Sequence, residues 1–298
     1  MPAMKPAEYG PFPYVPINRR AQWKWPNGAQ LAVWVIPNVE FFPLTAPLAG
    51  HPFEKAHDYK APTVRAWGQR DYGNRVGIFR LMDVLSKYGI RATATTNADI
   101  CDHHPQIIED AVKLGWEFMG HNRSNNVRLT AVPPEQEKEL IHYCIEKLHQ
   151  ATGRKPVGWL GAALAETWNT LDYLIDEGCL YVSDWVNDDQ PYRMQVGGRE
   201  IVYLPYSYEV NDSNQVNYRF SSIDEFELII RRTFDVLYRE GAHSARVMAI
   251  CLHPFMIGVP HRIGGLDSAL KYICSHQDVW FATGEEIARA YLASSAEL

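Results

Sequence analysis

Apolar positions along this chain change period again and again. The run Leu31-Ala-Val-Trp-Val-Ile36 is continuously apolar and rich in β-branched side chains, which predicts a strand buried on both faces and stopped by Pro37. Shorter runs of the same kind predict strands over 90–96, 116–119, 157–160, 180–182, 200–204, 247–252 and 279–281. Between them lie segments with helical spacing. Val76, Phe79, Leu81, Met82 and Leu85 mark one, and 105–114, 135–151, 170–177, 223–238 and 285–292 mark the others. Pro133-Pro134 starts the helix over 135–151 and Gly153 ends it. About seven such alternations predict an α/β fold, a closed or nearly closed (β/α) barrel. No linker or repeat divides the chain, so residues 1–298 read as a single barrel domain with 1–28 as an extended N-terminal lead.

Three of the strands end in groups able to move protons. Glu40 follows the first, His121 follows 116–119 and Gly120, and His253 follows 247–252 directly, ahead of Pro254. A barrel gathers its strand C-termini into one mouth, so these three are expected to meet there, with Asn38 beside them. A structural ion pair of Glu40 with Arg65 or Arg75 is the plainer alternative. The stretch 43–71 has no periodicity and reads as a long loop of the kind that serves a site. No Gly-x-Ser-x-Gly elbow is present, which leaves hydrolysis by an activated water as the natural chemistry.

Composition narrows the partners. A net charge of −6 with Lys and Arg scattered among Asp and Glu argues against nucleic acid. No stretch is long and apolar enough to cross a membrane, and residues 1–18 lack the pattern of a secretory signal, so the expected location is cytoplasmic. The five cysteines form no CxxC pair and are expected to be reduced and buried.

At these same strand ends the sequence resembles the polysaccharide-deacetylase (NodB homology) superfamily. The carriers are Pro37-Asn-Val-Glu40, Gly120-His-Asn-Arg-Ser-Asn125 and Cys251-Leu-His-Pro254. Asp71-Tyr-Gly-Asn-Arg-Val-Gly77, Gly158-Trp159, Asn187-Asp-Asp-Gln-Pro-Tyr192 and His253-Pro-Phe-Met-Ile-Gly-Val-Pro-His-Arg262 are similar to markers of its branch of metal-independent allantoinases and cyclic imide hydrolases. The resemblance implies a distorted seven-stranded barrel, a homo-oligomer, and hydrolysis of a carbon–nitrogen bond other than a peptide bond in a small molecule.

Departures from the superfamily pattern shape the expected site. Metal-dependent members hold a divalent ion with an Asp and two His, whereas this chain offers Glu40, His121 and, at the second His position, Asn125. A carboxamide is a poor zinc ligand, so no cofactor is expected, with zinc or another divalent metal as the alternative. Asn38 replaces the superfamily's catalytic Asp. Glu40 or Glu166 is then expected as base and His121 or His253 as acid or oxyanion stabiliser. Asn38, Asn125, Trp159, Trp185, Asp188, Asp189 and Glu209 are the expected substrate-binding residues, in a mouth whose aromatics include Trp67, Tyr192 and Tyr208. Such a mouth suits a small planar cyclic amide, imide or ureide. A metal-dependent deacetylase of an N-acetylated sugar and an inactive barrel kept as a binding module are the two other readings.

Overall fold

The computed structural model describes residues 9–46 and 63–294. Its strands are β1 (Leu31–Val39), β2 (Thr93–Thr96), β3 (Glu117–Gly120), β4 (Gly158–Trp159), β5 (Tyr181–Val182), β6 (Tyr192–Val196), β7 (Arg199–Tyr203), β8 (Arg246–Leu252) and β9 (Val279–Phe281). They form one curled sheet in the order β6-β7-β5-β4-β3-β2-β1-β8, with β9 also on β1. From β7 through to β8 this path is seven strands, all parallel, as the expected distorted barrel requires. Helices cover the outside. The barrel is shut at the free edge of β8 by loop backbone: Val247 N donates to Asp189 O at 2.9 Å and Cys251 N to Val210 O at 2.9 Å.

Two expected boundaries move. β1 does not stop at Pro37 but runs on to Val39. Val33 O accepts from Ala282 N and Val39 O from Asn97 N, so the Pro37 nitrogen faces the same edge. There β1 changes partner, from β9 opposite residues 31–33 to β2 opposite 38–39. The missing N–H of proline therefore falls in a gap where no acceptor waits, which is how a central strand tolerates it. The aperiodic stretch 43–71 lies partly outside the described residues, and its described end is a helix, Val64–Tyr72, continued by a wide turn Gly73–Gly77 into the helix Ile78–Lys87.

Strand β6 and one helix lie outside the predicted elements. The hairpin of β6 and β7 turns on Gly197 and Gly198, both at positive φ (58° and 80°), a two-glycine signal that was present in the chain. The helix Ile263–Cys274 buries Leu266, Ala269, Leu270 and Ile273, also a legible helical spacing. All five cysteines are unpaired, as expected, but only Cys144, Cys179 and Cys251 are buried; Cys101 is half-buried and Cys274 is exposed. Among the described residues no helix is long and apolar enough to cross a membrane.

Inside the barrel, near the N-terminal ends of the strands, lies a buried carboxyl. Glu117 accepts from Thr93 Oγ1 (2.8 Å), Tyr181 OH (2.8 Å) and the Glu285 N–H (3.0 Å) at the start of the last helix, Gly284–Ala293. Burial pushes its pKa up, against the pull of these donors. Conservation of stability rather than chemistry is the usual role of this end of a barrel. Glu117→Ala strands those donors and is expected to cost about 1–3 kcal/mol. Thermal unfolding should show a Tm several degrees lower, and an unchanged Tm would contradict the assignment.

Candidate active site

Strand parity builds the site. In β1, Ala32, Trp34 and Ile36 pack in the barrel interior, whereas Leu31, Val33, Val35 and Val39 pack under the helices. In β3 Met119 faces in and Phe118 out; in β8 Val247, Ala249 and Cys251 face in while Met248, Ile250 and Leu252 face out. Side chains alternate along a strand, so two residues beyond each last inward position comes another inward one. Ile36 leads to Asn38 and Glu40, Met119 to His121, Cys251 to His253.

The three predicted groups meet. Glu40 Oε1 lies 3.6 Å from His253 Nε2 and 3.9 Å from His121 Nε2. All three are nearly buried, with Glu40 8%, His121 3% and His253 8% exposed, and all line a cavity of about 330 Å³. Glu40 is thus flanked by imidazoles, and the alternative partner Arg75 is instead 3.8 Å from Asp71.

Each imidazole is held from behind, and differently. His121 Nδ1 sits 2.6 Å from Leu160 O; a carbonyl only accepts, so Nδ1 carries the proton and Nε2 faces the cavity. His253 Nδ1 is 2.7 Å from Asp212 Oδ1, and the other oxygen of Asp212 accepts from the His253 N–H at 2.8 Å. Burial lowers the His253 pKa, but the charges of Asp212 and Glu40 outweigh it and the net shift is upward. His253 is therefore the imidazole that favours the charged form.

Glycines bring the segment after His253 into place. A Cβ on Gly73 would meet Phe255 N at 2.6 Å, and one on Gly77 would meet Pro254 O at 2.1 Å. The Asp71–Gly77 marker is in this way a backbone contact surface for His253-Pro-Phe.

Other predicted residues scatter. Asn38 lines the cavity, accepting from Tyr206 OH at 3.2 Å and donating to Leu252 O at 3.2 Å. Asn125 also lines it, and its buried Oδ1 has no partner. Glu166 does not reach the cavity; the loop after β4 folds it back against Trp185 Nε1 (3.2 Å) and Asp184, which corrects its expected place as an alternative base. Trp159 is sealed in the core with its ring against Gly120, and cannot be a stacking platform. Trp185 packs edge-on against Phe12. Asp188 pairs with Arg20 of the lead, and with Asp189 and Glu209 it lines a second, larger cleft of about 830 Å³ away from the histidines. Glu209 is bound to Arg219. Of the expected mouth aromatics, Tyr208 lines the cavity, while Trp67 donates to Phe42 O and Tyr192 is buried. The sequence reading left Tyr206 unremarked, did not single out Asp212 from its loop, and had no signal for either, since the pairing depends on where a loop returns.

This fold and this trio of Glu, His and His at strand ends define a barrel of the hydrolase class. The polysaccharide deacetylase family model matches residues 70–181. A Schizosaccharomyces pombe protein described as "Putative polysaccharide deacetylase" is 30% identical over 240 residues, 75% of each chain. The chain belongs to the polysaccharide deacetylase family, whose members hydrolyse carbon–nitrogen bonds other than peptide bonds. Among solved structures it is similar to Puue allantoinase (27% identity, TM-score 0.83, 91% of this chain and 93% of that one). It is similar also to a protein from Pseudomonas aeruginosa PAO1 titled "probable Polysaccharide deacetylase" (26% identity, TM-score 0.85, 93% and 96%).

A divalent ion of the kind metal-dependent relatives use does not fit the donor set. Among the described residues no three His, Cys, Asp or Glu side chains are arranged to hold one. Where the pattern calls for a second imidazole stands Asn125, a neutral amide.

Asp212→Asn should lower the His253 pKa, because the buried negative charge behind Nδ1 is gone. Titration of the His253 ring protons by NMR checks this; a midpoint that does not move would contradict it.

Proposed function

We propose that this protein opens the ring of a small cyclic amide, imide or ureide by acid–base activation of water, without a metal. The observation that carries the reading is one carboxylate oxygen within reach of two imidazole Nε2 atoms, whose Nδ1 atoms are held by different acceptors, a backbone carbonyl and a carboxylate. Two hydrogen bonds of about 2.8 Å from one water reach acceptors about 4.5 Å apart. Glu40 Oε1 and His121 Nε2 come close to that separation, so one water can donate to both and keep its lone pair free for the substrate carbonyl. Glu40 takes the proton as the water attacks. His253, charged beside Asp212, gives its Nε2 proton to the departing nitrogen, and the carbon–nitrogen bond breaks. The proton on Glu40 then returns to His253 across the 3.6 Å between them, which restores the starting state.

The cavity supports a small ring over a polymer: about 330 Å³, with the carboxamides of Asn38, Asn125, Asn211 and Asn214 on its wall. The partnerless Asn125 Oδ1 suits an N–H of such a ring. The likeness to an allantoinase points the same way.

Purified protein assayed against allantoin, hydantoins and cyclic imides should turn over at least one of them. Glu40→Gln should then lower kcat about 10²- to 10⁴-fold with little change in KM. Turnover confined to N-acetylated sugars, or undiminished in Glu40→Gln, would overturn the reading. Because His253 must be protonated to act, kcat should fall as pH rises through its elevated pKa.

A further inference from the structure

Behind His121 the hydrogen bonding continues into the protein. The carbonyl that His121 Nδ1 binds belongs to Leu160, and the N–H of the same peptide unit, that of Gly161, donates to Asp184 Oδ1 at 2.7 Å. The peptide is trans, so its two polar ends point in opposite directions. His121 thus sits on the cavity side of one amide plane and a carboxyl on the other. Asp184 is 7% exposed, and its carboxyl lies beside that of Glu166. The remaining oxygens, Asp184 Oδ2 and Glu166 Oε1, are buried and have no hydrogen-bond partner. Burial and the charge of Asp184 push the Glu166 pKa well up, and burial pushes that of Asp184 up as well, so the pair favours one proton and a single negative charge between them. Gly161 takes that charge at its N–H, which polarises the amide and strengthens its carbonyl as acceptor for His121.

The loop that makes this arrangement is under strain. Ala163 and Leu164 stand in the left-handed region, at φ 62° and 55°, a costly pair of positions for residues with side chains. Their effect is to turn the chain back so that Glu166 lies on Asp184. A Cβ at Gly161 would meet Ala165 O at 2.8 Å, so the return is possible only over a glycine.

We propose that Asp184, paired with Glu166 and acting through the Leu160–Gly161 peptide, is a positioning residue that fixes His121 as the Nδ1–H tautomer with its Nε2 lone pair on the attacking water. This rests on the reading of His121 as a holder of that water. Neither carboxyl lines the cavity, so neither touches substrate. With the pair intact, the tautomer of His121 does not depend on substrate or product.

Long-range ¹H–¹⁵N NMR of full-length protein labelled at histidine nitrogen reads the tautomer directly, with no substrate added. Wild type should show His121 as the Nδ1–H form near neutral pH. Asp184→Ala should mix the two tautomers and lower kcat about 10- to 100-fold with KM little changed. Asp184→Asn retains an acceptor for Gly161 and a donor toward Glu166, and should recover most of the tautomer and of kcat. If Asp184→Ala does not fold, Glu166→Gln serves in its place, with an intermediate loss on both readouts. A His121 tautomer and kcat unchanged in these variants, whatever happens to Tm, would overturn the proposal. Failure of the ring-opening reading would appear separately, as absent turnover with the wild-type tautomer still fixed.

Discussion

Glu40 is a carboxylate held almost out of water, and the rest of the site follows from how its charge is tolerated. Burying an isolated carboxylate is costly, and such a group either takes up a proton or is paired. Here the compensation comes from His253, whose pKa the charges of Asp212 and Glu40 push up against its burial. Asp212, His253 and Glu40 form a row through the barrel mouth, and His121 stands at its side with Nδ1 on the Leu160 carbonyl and Nε2 toward Glu40. In the proposed mechanism a base and an acid thus stand next to each other, the arrangement that would move a proton from water to a leaving group.

The barrel supplies this row through parity alone. A shift of one residue in β1, β3 or β8 would turn Glu40, His121 or His253 out under the helices. Registers of β1 against β8, seven pairs long, and of β2 against β3 guard against that shift. Glu117 pins the opposite end of β2, β3 and β5 to the last helix. Stability sits at one end of the strands and chemistry at the other.

Much of this was legible in the chain. Strands with continuous apolar runs and helices with clear spacing appear where the pattern puts them, and the convergence of Glu40, His121 and His253 follows from strand ends in a barrel. What escaped was contact made by returning loops. Nothing local to Asp212 shows that it backs His253 from 41 residues away. Trp159 looked like a platform because strand-end aromatics often are, yet its neighbour Gly120 leaves room for the ring to lie inward. Glu166 is a candidate base in the sequence because its loop is expected to face the mouth and Asn38 stands where the superfamily has an Asp, but the loop, with two left-handed residues, carries it away from the cavity. Asp188, Asp189 and Glu209 sit on loops that reach a different cleft. Composition marks such residues as loop-forming and says nothing of the direction in which the loop folds.

Glu40 and the two histidines are proposed to suffice for turnover. The decisive measurement is the rate of cyclic ureide or imide hydrolysis by protein stripped of metal with a chelator and verified by elemental analysis. An undiminished rate that added zinc does not raise is the predicted result. A rate that vanishes on stripping and returns with zinc would contradict the account.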